Sequence, residues 1–356
     1  MTRPTEPGGP DGRDAADRAA RFDRSDVEYG SRAWQTPADS RTMQALVSRC
    51  WRADWPAMHL HAGDVDWWSV HALARSPALD GRIRLWFEGE PDATELVAFA
   101  WYGPPIDADL IVAPDHRTAE LIGSMVDWVD AQVARFGGTP AGRVAGLDVD
   151  GVESTGADVA TTAAARIWTV ATDAGLVRAL RAMGLEEGSE PGYLHHCAPI
   201  GALDLTVPAL QPGYELRTIR TDADVAGRVA TGHAAFPGST MTVEKYQFCR
   251  TTPLYRPALD TILVAPDGTV AAFALGWLDP LTGGIELEPV GVHPDHQRRG
   301  LGRAVCRATL RTGASLGAEQ VVIAAEAANP AANGLYAALG LPVEARIIAY
   351  RRPTPG

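Results

Sequence analysis

The chain has 356 residues, longer than one ordinary domain and suited to two of about 150–200 residues each. Hydrophobic residues at 46% and charged residues at 21% are globular values that exclude a wholly disordered chain, and a net charge of −12 argues against nucleic acid or an anionic membrane as main partner. No apolar run reaches the ~18–20 residues of a membrane span, the start lacks a secretory signal, and the four scattered cysteines form neither a zinc pattern nor a disulfide framework, so a soluble cytoplasmic protein is expected.

Residues 1–41 carry Pro, Gly, Asp and Arg with little periodicity and read as a disordered tail. Order is expected from Thr42, where Met43, Leu46, Val47 and Trp51 recur at helical spacing. Patterned runs at 95–101 and 107–117 lead to a helical pattern over 119–133. Near 198–213, Pro199, Pro208 and Pro212 suit a strand and linker better than a helix. Beyond them come strands at 215–220, 261–264, 270–277, 284–292, 320–324 and 345–350. Helices are expected at 222–235, 243–251, 301–316 and 330–339, with Pro330 in a first turn and Gly340 as a C-terminal cap. Such an order predicts a mixed sheet flanked by helices, an α/β (α+β) chain.

The two halves echo each other. Val112-Ala113-Pro114-Asp115-His116 lies over Val292-His293-Pro294-Asp295-His296, and Leu180-Arg181-Ala182-Met183-Gly184-Leu185 answers Tyr336-Ala337-Ala338-Leu339-Gly340-Leu341. Duplication of one α/β unit explains this. The expected division is a tail over 1–41, a first copy over 42–200, a linker over 201–213 and a second copy over 214–352.

The segment richest in chemistry is Val290-Gly291-Val292, the loop through Gln297, Arg298 and Arg299, and the helix start Gly300-Leu301-Gly302-Arg303. Amides at a helix start lack internal partners and lie at the positive end of its dipole. Two side-chain-free glycines let an anion approach the main chain, and three arginines add positive charge, which makes a diphosphate cradle.

This run resembles the Q/R-x-x-G-x-G/A signature of the GNAT superfamily of N-acetyltransferases, matched by Gln297, Gly300 and Gly302. The family's N-x-x-A-x-x-L-Y element is matched by Asn329, Ala332, Leu335 and Tyr336. The resemblance implies tandem GNAT-like units with mostly antiparallel, splayed sheets and acetyl-coenzyme A as acyl donor. It implies that Val290–Val292 pair with the pantetheine arm, that Asn329 contacts the donor, and that Tyr336 protonates the leaving thiolate. Tandem members with the working site in the second copy are similar in layout.

An amine acceptor must lose a proton before attack. Glu286 and Glu288 alternate with Ile285 and Leu287, so both share one strand face. Glu286 stands where many family members carry a general base, and Glu288 is the second candidate for base or amine anchor. Solvated carboxylates on a strand edge are the plainer alternative. The first copy lacks the glycine pair after Arg117, carries Glu120 nearby, and has Leu180 in the place of Tyr336. It reads as a degenerate copy that has lost the donor site, while still able to complete the acceptor pocket.

Other signals have plain readings. The tryptophans crowding the first half suit core packing, although an aromatic-lined cleft is the sharper alternative. His59, His61, His195 and His196 lack metal spacing, and no metal is expected. His293 and His296 cap the loop, Cys306 is core, and Tyr255 with Arg256 could shape the acceptor site. The expected activity is N-acetylation of a small amine by direct attack on the thioester. Another acyl donor, including an aminoacyl-tRNA, and a non-catalytic coenzyme A-binding module are the alternatives. No nucleic acid or membrane partner is expected, and a monomer or homodimer is expected.

Overall fold

A computed structural model describes residues 27–72, 79–91, 95–136 and 164–353. The first half holds β1 (Tyr29–Ala33), α1 (Pro37–Asp54), α2 (Ala62–Ala72), β2 (Ile83–Glu88), β3 (Leu96–Gly103), β4 (Asp107–Val112) and α3 (Ala119–Phe136). It continues with β5 (Arg166–Val170), α4 (Ala174–Ala182), β6 (Glu186–Glu187) and β7 (Tyr193–Pro199). The second half holds β8 (Glu215–Thr218), α5 (Asp222–Ala235), α6 (Val243–Cys249), β9 (Asp260–Val264), β10 (Val270–Leu278) and β11 (Gly284–Val292). It closes with α7 (Leu301–Ser315), β12 (Gln320–Glu326), α8 (Pro330–Ala338) and β13 (Val343–Arg351). Every strand and helix expected beyond residue 214 is present within a few residues of its expected bounds.

The tail expected over 1–41 is corrected at its end. Residues 1–26 lie outside the described residues, but β1 pairs antiparallel with β2 from Tyr29 to Ala33, and α1 begins at Pro37. Short strands owe their order to a partner, so apolar periodicity alone does not reveal this one. A local device fixes the turn into α1. Asp39 accepts from the backbone N–H of Gln35 and Thr36 and from both terminal guanidinium nitrogens of Arg32, the latter at 2.8 and 3.1 Å. The same device recurs at the start of the second half, where Asp224 accepts from Arg220, Thr221 and Arg217. Burial alone would raise the Asp39 carboxyl, but its hydrogen bonds prevail and lower it. The Arg217 bonds, the largest influence on Asp224, hold that carboxyl well below the usual range.

All strands among the described residues join one mixed sheet in the order β1-β2-β3-β4-β5-β13-β7-β12-β11-β10-β9-β8, with β6 beside β13. The terminal strands are exchanged. β13, which ends the second half, pairs with β5 of the first, and β7, which ends the first half, pairs with β12 of the second. Their side chains follow: Ile348 and Tyr350 enter the core beneath α3 and α4, whereas Ala198 and Ile200 enter the core beneath α7 and α8. A third core joins the halves: it gathers residues of α1, α2, α5, α6 and β10, and α2 packs directly on α6 and β10. Trp51, Trp67, Trp68, Trp86 and Trp101 are buried, so these five tryptophans of the first half are core residues. Across this junction Trp51 Nε1 donates to Gln320 Oε1 at 2.9 Å and Ser48 Oγ to Asp279 at 2.7 Å. The sequence division at 42–200, 201–213 and 214–352 stays a proposal about how the chain arose.

Candidate active site

The parallel partnership of β11 and β12 covers Gly284–Glu286 against Gln320–Val322 and then stops. Downstream, Val290, Gly291 and Val292 keep β10 on one edge, opposite Ala274, Phe273 and Ala272. Their other edge opens into a groove of about 700 Å³ between β11, α7 and α8. Gly291 is required there by packing: an added Cβ would lie 2.3 Å from the Phe273 ring.

At one end of the groove the loop after β11 forms a main-chain nest. Arg298 and Gly300 have positive φ, 61° and 77°, on either side of Arg299. Successive backbone N–H groups in such a turn converge on an anion. The N-cap is Gly300, with no side-chain hydrogen bond to the amides of the first turn of α7. A Cβ on Gly302 would press on Leu335 at 3.1 Å and Val292 at 3.3 Å, narrowing the groove. These features fit a diphosphate.

Gln297, Arg298, Gly300, Leu301, Gly302, Arg303, Asn329 and Tyr336 all line the groove together with Val290–Val292. Arg299 is placed differently, donating to the Tyr214 hydroxyl at 2.9 Å and the Asp295 carbonyl at 3.1 Å. Tyr214 also meets His296 Nδ1 at 2.8 Å, and His293 Nδ1 accepts from Asp295 N at 3.3 Å, so both histidines brace the loop. Asn329 caps α8, its Oδ1 accepting from Ala332 N at 3.0 Å. Tyr336 is buried on the same helix.

Glu286 and Glu288 are also buried, each 5% exposed, so they are not solvated edge carboxylates. Their neighbour comes from the first half. Asp64, in the first turn of α2, brings a carboxylate oxygen to a position where it and oxygens of Glu286 and Glu288 lie within 4.8 Å of one another. Burial pushes the Glu286 carboxyl well above the usual carboxylate range, and the Asp64 charge and a hydrogen bond with Asp64 push the same way. His61 lies beside this pair, with Nδ1 3.6 Å from Glu286. Its Nδ1 accepts from Gly63 N at 3.0 Å and its Nε2 donates to the Gly284 carbonyl at 3.2 Å. Burial lowers its pKa, which keeps it neutral. Gly63 permits this approach, because a Cβ there would fall 2.4 Å from Trp277. Trp277 Nε1 in turn donates to the Glu288 carbonyl at 2.7 Å.

The sequence reading weighed the 59–64 run only for metal-ligand types. It missed Asp64, whose signal was an acid at the start of a helix. Tyr255, expected near the acceptor, is a core residue whose hydroxyl donates to buried Asp260 at 2.7 Å. Cys306 is buried as expected, and burial pushes its thiol up to about 12.

A splayed strand, a glycine nest at a helix start and a tyrosine-bearing helix opposite define an acyltransferase built on a tandem GNAT-type fold. Residues 233–341 match the profile of the Acetyltransferase (GNAT) family. A mycothiol acetyltransferase of Kineococcus radiotolerans is 30% identical over 252 residues, covering 70% of this chain and 73% of the relative. One from Thermobispora bispora is 26% identical over 329 residues, 89% and 97% of the two chains. Among solved structures, a tandem GNAT protein from the clavulanic acid biosynthesis pathway superposes with a TM-score of 0.61 at 15% identity, covering 93% of this chain and 100% of that one. A GCN5-related N-acetyltransferase from Sphaerobacter thermophilus gives 0.58 at 19% identity, covering 92% and 97%. The chain belongs to the GNAT acetyltransferase family. It is an acyltransferase with two such units in tandem, and no described helix is long and apolar enough to cross a membrane.

Proposed function

We propose that the protein transfers an acetyl group from acetyl-coenzyme A to the amine of a small cationic molecule, in a site of the second half completed by the first. The observation that carries this reading is the open edge of β11, which runs from the glycine nest toward Glu288 and Glu286. The nest and Arg303 hold the diphosphate, and the free edge at Val290–Val292 aligns the pantetheine amides. Three carboxylates gathered from both halves suit one positive charge, which favours an ammonium acceptor. Glu286, once deprotonated, takes the amine proton directly or through water. The nitrogen then bonds to the acetyl carbon as the C–S bond breaks, and the Tyr336 phenol protonates the departing sulfur.

The relatives named mycothiol acetyltransferase make deacetylated, free-amine mycothiol the first acceptor to test. Aminoglycosides, polyamines, amino acids and other amino-inositol glycosides complete the panel. Release of coenzyme A thiol should accompany one acetylated amine seen by mass spectrometry, and EDTA should leave the rate unchanged. Coenzyme A binding with no turnover on any amine would favour a regulatory module instead. Loss of activity to EDTA would assign the carboxylates to a divalent ion.

A further inference from the structure

The exchange of terminal strands places a first-half residue behind the helix that carries Tyr336. His196 lies on β7, opposite Ile323 of β12, and is 2% exposed. Its ring meets the Tyr336 ring edge-on, with centroids 5.5 Å apart and planes at 73°. Nε2 lies 3.0 Å from Asn333 Oδ1, and Nδ1 lies 3.1 Å from the Leu341 carbonyl. The orientation of the Asn333 amide is fixed by its own partners. Its Nδ2 donates to the carbonyls of Glu326 at 2.9 Å and Asn329 at 2.8 Å, which leaves Oδ1 to accept from His196. Both partners are acceptors, so a neutral ring donates to one of them and only a doubly protonated ring to both; in either form the imidazole sits between the first turn of α8 and the chain just beyond its C-terminus, with the phenol between these contacts.

The other half supplies an internal control. The matching position on β13 is Tyr350, opposite Ile167, and the residue matching Tyr336 is Leu180. Both sit in one apolar core, and the Tyr350 hydroxyl has no hydrogen-bond partner among the described residues. The polar tie accompanies the tyrosine and is missing where the tyrosine is missing.

We propose that His196 is a positioning residue for the transfer step, clamping α8 so that the Tyr336 phenol is held toward the departing sulfur. This rests on the assignment of Tyr336 as the acid. An off-target phenol loses proton-transfer efficiency while the diphosphate grip, which lies elsewhere, is untouched.

The test is a double-mutant cycle on the full chain, following thiol release from acetyl-coenzyme A with hydroxylamine as acceptor probe. His196→Phe keeps a ring and removes the nitrogens that face Asn333 and Leu341. It should lower kcat about tenfold while the acetyl-coenzyme A dissociation constant, read by calorimetry, moves less than about twofold. His196→Gln keeps one donor and should recover to within about threefold of the parent. In a Tyr336→Phe background, His196→Phe should cost less than about twofold more, because the group it positions is gone. Equal losses in both backgrounds, or an unchanged kcat in His196→Phe, would overturn the inference. If Tyr336→Phe alone leaves kcat intact, the acid assignment fails; any His196 effect that then persists also counts against positioning through the phenol.

Discussion

Two corresponding grooves, one in each half, differ at one loop. Between the short helical turn ending at His296 and the start of α7 lie the four residues 297–300, whereas between His116 and the start of α3 lie the two residues 117–118. Those two extra residues allow the reversals at Arg298 and Gly300 that gather main-chain amides. In the first half the shorter loop begins with Arg117, which is bound by Asp54 through both terminal nitrogens and by Asp173 at 3.5 Å. Asp173 is the counterpart of Asn329, each capping the helix that follows. The cation that would meet a phosphate is thus satisfied internally, and two carboxylates occupy its surroundings. In this groove the positive charge is still present, but it is paired.

Three experiments break or sharpen this contrast. Deleting Arg298 and Arg299 would give the second loop the length of the first. Acetyl-coenzyme A affinity should fall by about 100-fold or more, since the nest and the helix-start amides act together on the diphosphate. Retained affinity in calorimetry would refute the assigned cradle.

A middle-sized effect concerns the carboxylates that the first half brings to the second. Glu286 is protonated at acidic pH and can accept the amine proton only after losing its own. The rate kcat/KM should therefore rise with pH through a midpoint above the ordinary carboxylate range. Asp64→Asn removes the neighbouring negative charge, so that rise should move to lower pH, by about one pH unit for a buried neighbour. A limb that stays in place in the variant would separate Asp64 from the base.

The smallest functional effect is expected at Arg117. Arg117→Ala should leave stoichiometry at one cofactor per chain and the transfer rate unchanged. Stability should fall by about 1–3 kcal/mol in urea titrations, because Asp54 and Asp173 lose their shared partner. Two cofactors bound per parent chain would show that the first groove still works.

Much of the second half was legible because its elements follow from local signals. The 270–277 and 284–292 runs, Pro330 at a helix start and Gly340 at its end each carry their own geometry. The glycine nest was legible for the same reason, being a run of consecutive residues. A repeat that went unread would have placed β1 and shortened the expected tail. Tyr29, Arg32, Thr36 and Asp39 recur in identical spacing as Tyr214, Arg217, Thr221 and Asp224.

The chain by itself determined that short motifs recur in both halves, where the glycine pair and its arginines stand, and where most strands and helices fall, since these depend on neighbours a few residues apart. Tertiary structure alone decided that the last strands change places, that Asp64 meets Glu286, and that His196 backs Tyr336. Those contacts join residues more than a hundred positions apart. They arise from sheet order and from burial of charge, which no short window of sequence contains.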